Sequence, residues 1–129
     1  MAESATSGAA RYRSFRDLTV WQEAMELAVS THKLSLGLPD IERFDLAREL
    51  RRSARSIPSN VAEGFNRHSR AAYRSHVAIA LGSQAELETQ SELAHRLAYL
   101  TTATTAEHQQ QIARVGRLLH GLWRALEPR

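Results

Sequence analysis

Leu46, Leu50, Ala54, Ile57 and Val61 recur at intervals of 4, 4, 3 and 4 residues. That spacing lays one apolar stripe along an α-helix, and Pro58 falls inside it. Proline has no N–H to donate, and its ring crowds the carbonyl four residues back, here Ala54. The stripe continues on both sides of the proline, so it predicts a helix over 45–66 that is kinked at Pro58 and not ended by it. A one-sided helix must bury its stripe against another layer of structure. The rest of the chain supplies only more helices.

Trp21, Ala24, Leu27, Ala28, Thr31 and Leu34 share a broad face, and Gly37 with Pro39 stops it, which predicts a helix over 20–36. Thr19 and Gln22 have capping-box spacing at its start. Residues 37–44 are the connection, with room for one helical turn. A third helix is expected over 70–100, with Ser69 as its N-cap. Its inward stripe is Tyr73, Val77, Ala80, Gln84, Leu87, Ser91, Ala94 and Ala98. Gln84 in that stripe is expected to have a buried partner or to face a cavity. A second apolar line passes through Ile79, Leu93, Leu97 and Leu100. The last helix is expected over 105–126, with Thr104 and Glu107 as a second capping box. Ile112, Val115, Leu119, Leu122 and Leu126 form its seam, and Leu118 and Trp123 widen it. There is no strand pattern, phosphate-binding glycine loop or tandem repeat. The expected fold class is therefore all-α: an antiparallel up-down four-helix bundle with long helices. Residues 1–14, MAESATSGAARYRS, are small and polar and are expected to form a disordered tail ahead of a bundle domain at 15–129.

The absence of cysteine excludes disulfides and thiolate metal sites. No apolar run approaches the roughly 20 residues of a membrane span, and the start lacks the apolar core of a secretory signal. The expectation is a cytoplasmic protein with no membrane partner. Charge is uneven along the chain. Residues 43–76 hold Arg43, Arg48, Arg51, Arg52, Arg55, Arg67, Arg70 and Arg74 against Asp45, Glu49 and Glu63. Residues 77–109 hold Arg96 against Glu86, Glu88, Glu92 and Glu107.

Arg51, Arg52, Arg55, Arg67, Arg70 and Arg74 are the candidate nucleic-acid-binding residues, since guanidinium forks match phosphate oxygens. The competing reading pairs them with the acidic third quarter, within or between subunits. Local positive charge is too large for Arg51, Arg52, Arg55 and Arg67 all to find carboxylates in their own subunit. Ser59, Asn60 and Glu63 in the proline helix, with Glu86 and Glu88 on the next, form a structural polar motif. Its expected role is to satisfy backbone freed at Pro58 and to tie the two helices together. No catalytic residues are expected. Ser56, Ser59 and Ser83 lack a strained nucleophile elbow, and Glu86 and Glu88, two apart on a helix, point in different directions. Glu92 and His95 make a single Glu-x-x-His pair where a di-metal bundle needs two, so neither metal nor cofactor is expected.

FRDLTVWQEA (15–24), RRSARSIPSNVAEGFNR (51–67) and ALGSQAELETQSELAHRLAYL (80–100) resemble the four-helix bundle proteins first noted in intervening sequences of bacterial 23S ribosomal RNA genes. The resemblance covers 15–126. It implies a ring-shaped homopentamer without known catalytic residues. Related accessory proteins of diversity-generating retroelements share the architecture and bind a reverse transcriptase and nucleic acid through basic surfaces. The expected function is thus a non-enzymatic homo-oligomer that binds RNA, DNA or a nucleic-acid-handling partner protein. The alternative is a structural or protein-interaction ring with no nucleic-acid contact. Independently of the resemblance, the two apolar lines on the third helix, with Leu118 and Trp123 on the fourth, exceed what one bundle needs, so some must face another subunit or form an exposed patch.

Overall fold

The computed structural model describes residues 12–129. Most of the expected tail, residues 1–11, lies outside the described residues. Four helices follow: α1 (Thr19–Ser35), α2 (Leu46–Phe65), α3 (Arg70–Arg96) and α4 (Thr102–Ala125). Short 3₁₀ turns occupy Phe15–Asp17 and Asp40–Glu42. The described residues contain no strand.

Each helix packs on the next in sequence, and α4 closes on α1. The diagonal pairs, α1 with α3 and α2 with α4, make no close backbone approach. Hydrogen bonds between α3 and the α4 region run in opposite sequence order: Arg70 to Glu127, Arg74 to Trp123, Gln84 to Ile112, Glu88 to Gln109 and Ser91 to His108. The α2–α3 seam does the same, with Arg52 facing Glu86, Ser56 facing Ser83 and Asn60 facing His76. Such descending pairs are the mark of antiparallel neighbours.

The core is built from the stripes of all four helices. Leu27 from α1, Leu50, Ile57 and Val61 from α2, Val77 and Leu87 from α3, and Ile112, Val115 and Leu119 from α4 are fully buried. Helix α2 runs through Pro58 without interruption, and Pro58 itself is buried. Where α2 ends, Gly64 lets α3 come close. A Cβ at Gly64 would stand 2.9 Å from both His76 Cβ and Tyr73 Cδ1.

Several helix ends differ from expectation. Thr19 does not cap α1. Leu18 takes the N-cap position with no side-chain bond, and the capping box lies one turn earlier, between Ser14 and Asp17. Gln22 instead donates its amide to the Arg16 carbonyl at 2.8 Å. Helix α4 starts at Thr102 and not at 105, because Thr101 rather than Thr104 is its cap and accepts from the Thr104 N–H. The threonine run offers several equivalent hydroxyls, and the earliest one wins. Helix α3 stops at Arg96, four residues short of the expected end, because Ala98 adopts a left-handed φ of 64°. The Ala98 N–H then bonds the His95 carbonyl and the Tyr99 N–H bonds the Ala94 carbonyl, which closes the helix end. Ala98 is therefore exposed and not part of the inward stripe. Ser69 caps α3 as expected, accepting from the Ala72 N–H at 3.0 Å.

Candidate nucleic-acid interface

A polar ladder joins α2 to α3. The Ser83 hydroxyl donates to Ser56 Oγ at 2.7 Å, and the Asn60 amide donates to Ser56 Oγ and to the Ser56 carbonyl. With its amide nitrogen committed to a carbonyl, Asn60 presents Oδ1 to His76 Nδ1 at 3.1 Å. An oxygen there accepts, so Nδ1 carries the proton. The other ring nitrogen faces Glu63 at 3.6 Å, and Glu63 also pairs with Arg67 at 2.8 Å. Asn60 and Glu63 thus both reach His76 of α3. Ser59 is exposed and makes no such bond. Glu86 stands 3.7 Å from Arg52, while the Glu88 carboxylate is exposed and only its carbonyl is used, by Gln109. His76, the residue that bridges Asn60 and Glu63, is not marked by any sequence spacing. Gln84 finds its partner in the Ile112 carbonyl at 3.4 Å.

The candidate arginines divide into three kinds. Arg52 and Arg67 are neutralised within the subunit. Arg52 donates to Glu49 at 2.6 Å; this bond lowers the Glu49 pKa and raises that of Arg52. Both pairs are half exposed, so they add little to stability. Arg51, Arg70 and Arg74 bond neutral oxygens and keep their charge uncompensated. Arg51 donates to Ser35 Oγ and the Arg43 carbonyl. Arg70 donates to the Ala125 and Glu127 carbonyls, and Arg74 to the Trp123 carbonyl while lying over its ring at 3.6 Å from the centroid. Arg55 is exposed and makes no hydrogen bond or ion pair among the described residues.

The fold gathers Arg51 and Arg55 of α2 with His32 and Lys33 of α1 around an open cleft of about 290 Å³, floored by Ala28 and Val29. Among the described residues no carboxylate lines it. His32 and Lys33 belong to this surface but lie on another helix, where the sequence shows no charge cluster. Arg67, Arg70 and Arg74 sit elsewhere, at the turn into α3 and along its first turns. The six arginines therefore do not share one surface.

The described residues show no cluster of three or more His, Asp or Glu side chains able to hold a metal. Glu92 pairs with Arg96 at 2.9 Å, which lowers its pKa, and His95 faces Thr102 Oγ1. His108 is buried at the junction of three helices. Its Nε2 lies 2.8 Å from Thr31 Oγ1, and its Nδ1 lies 2.8 Å from Ser91 Oγ. Burial holds its pKa down at about 4, so the ring is neutral and both nitrogens are satisfied by hydroxyls. No described helix is long and apolar enough to cross a membrane.

No protein of curated function matches the chain. Among solved structures it is similar to a protein of unknown function from the S23 ribosomal protein family of Bacteroides thetaiotaomicron VPI-5482. The TM-score is 0.77 and the identity 26%, over 82% of this chain and 99% of that one. A family model described as 23S rRNA-intervening sequence protein matches residues 16–121, from the first turn into the last helix. By that match, which spans most of the bundle, the chain belongs to the family of 23S rRNA-intervening sequence proteins.

Proposed function

We infer that this chain is a non-catalytic, homo-oligomeric binding protein that holds RNA or DNA by its phosphates in the cleft between α1 and α2. The observation that carries this reading is the cleft itself. Lys33, Arg51 and Arg55 converge there with His32, and no lining carboxylate neutralises them. Charge left uncompensated at a surface attracts a polyanion and releases its counterions. The cleft presents mainly cationic groups and, among the described residues, no Phe, Tyr or Trp, and such groups hold phosphates, which carry no sequence information. Binding is therefore independent of sequence. The cytoplasm, where nucleic acid is accessible, is the compartment this role requires.

Filter binding with duplex and single-stranded RNA and DNA across a salt series tests it. Affinity should fall linearly with salt on logarithmic axes. Replacing both Lys33 and Arg55 with alanine should weaken binding and flatten that slope by about 2 units. Arg52→Ala should change the slope less, because Arg52 is already paired with Glu49. Absent binding, or binding unaffected by salt, favours the second reading, a ring that contacts only proteins. That reading draws support from the exposed apolar side chains Ile79 and Leu93 on α3, Leu97 at its C-cap and Val29 on α1.

A further inference from the structure

A second cleft, of about 470 Å³, opens where the start of α3 meets the end of α4. Arg70, Arg74, Trp123, Leu126 and Ala71 line it, with Pro128 at the rim. The sequence explains why these side chains meet. Arg70 and Arg74 are one helical turn apart on α3, and α4 runs the other way beside them. Their Nε atoms donate to the Glu127 and Trp123 carbonyls at 3.1 Å each. One Nη2 of Arg70 reaches the Ala125 carbonyl. These bonds close the carboxyl end of α4, and this accounts for where the guanidinium groups sit. It offsets their charge only in part: the last carbonyls of α4 carry about half a negative charge against two positive ones. Most of their N–H groups remain available, and among the described residues no carboxylate side chain lines the cleft.

Three properties define the ligand that fits. Two fixed guanidinium groups beside the first turn of a helix favour an anion with several oxygens. The Arg74 guanidinium lies over Trp123 at stacking distance, 3.6 Å from the ring centroid, and offers a flat platform. Ala71, Ala78, Leu126 and Pro128 give the walls an apolar character suited to a ring and not to a second charge. We propose that this cleft binds a nucleoside monophosphate unit, its phosphate on Arg70 and Arg74 and its base stacked on the Arg74–Trp123 pair. The unit is either a free nucleotide or the phosphorylated end of a strand. The site stands apart from the α1–α2 cleft and does not depend on it.

Trp123 is its own reporter. The chain has two tryptophans, so a Trp21→Phe variant leaves one signal. Adenosine monophosphate, adenosine, inorganic phosphate and a 5′-phosphorylated oligonucleotide are titrated in turn. The phosphorylated nucleoside in at least one form should change the emission saturably, and adenosine or phosphate alone should not. Response to the oligonucleotide but not to the mononucleotide assigns the strand end as the source; response to both assigns the free nucleotide. Ala71→Glu sets a carboxylate beside both arginines without removing any contact, at a helix start where acids are favourable. It should weaken binding by about tenfold or more while leaving the melting temperature in place. Phosphorus-NMR line broadening on the unsubstituted chain gives the same comparison without touching Trp21. No saturable response to either phosphorylated form, equal response to adenosine, or an unchanged affinity in Ala71→Glu overturns the assignment. Lys33→Ala with Arg55→Ala should leave this signal intact, which separates failure here from failure at the other cleft.

Discussion

Buried His108 shows how a residue can carry structure that no spacing announces. It is a polar side chain placed on the inward side of α4, held between Thr31 of α1 and Ser91 of α3. Its neutral ring is the native form, so the unfolded chain takes up a proton first as pH falls. Stability from this group is complete above the unfolded value near 6.5 and is lost as pH falls toward the folded value of about 4. The total loss is at most about 3 kcal/mol. Urea midpoints measured between pH 7 and 4 should decline through that window. The decline should be shallower in His108→Gln, which keeps a donor and an acceptor but does not titrate. Equal slopes in the two chains would remove His108 as the cause. Ser53 is the converse case: its hydroxyl is buried without a partner, and nothing in the structure explains it. In the sequence His108 looks like any other histidine of a polar stretch, because its partners come from helices 77 and 17 residues away.

At the level of helices, the apolar stripes that set α1, α2 and α4 are visible in the sequence because burial on one side repeats every 3.6 residues. Helix ends are less visible. The end of α3 depends on the left-handed backbone at Ala98, where glycine is the usual signal and alanine gives none. The arginines of α2 illustrate the limit for sites. Their number is plain in the sequence, and so is the spacing that pairs Arg52 with Glu49 and Arg67 with Glu63; only the longer approach of Glu86 to Arg52 needs packing to place it. The α2–α3 seam supplies a direct test of packing. A methyl group at Gly64 has no room against Tyr73 and His76, since the obstructing atoms include His76 Cβ and the Tyr73 carbonyl at 3.2 Å. Gly64→Ala should therefore destabilise by about 1–3 kcal/mol, despite the better helix propensity of alanine. Gly116→Ala should cost less, because there the Cβ meets the movable end of Gln84. A denaturant series in which Gly64→Ala matches the parent chain would contradict the close approach of the two helices.

At the scale of the whole molecule, surplus apolar surface survives folding. Ile79 and Leu93 on α3 and Leu97 at its C-cap remain 52%, 46% and 46% exposed. Leu118 and Trp123, by contrast, pack against the subunit's own core and are not surplus. The expected outcome of light scattering after size exclusion is a closed ring. Five subunits, the number the family resemblance implies, would weigh roughly 72 kDa. Leu93→Arg or Leu97→Arg should lower that mass, and a monomer near 14.5 kDa in the parent chain would refute the ring. The cyclic order of the bundle bears on how such a subunit comes into being. Three of its four seams join helices that are consecutive in the chain, and no diagonal seam exists. Consecutive pairing keeps contact order low, and low contact order goes with rapid folding. Only the α1–α4 seam must close a long loop, and the entropy of that closure rises slowly with loop length. Thr31 and His108 sit on that last seam. The buried pair belongs to the one seam that joins helices far apart in the chain, and the expectation is that it forms after the local seams.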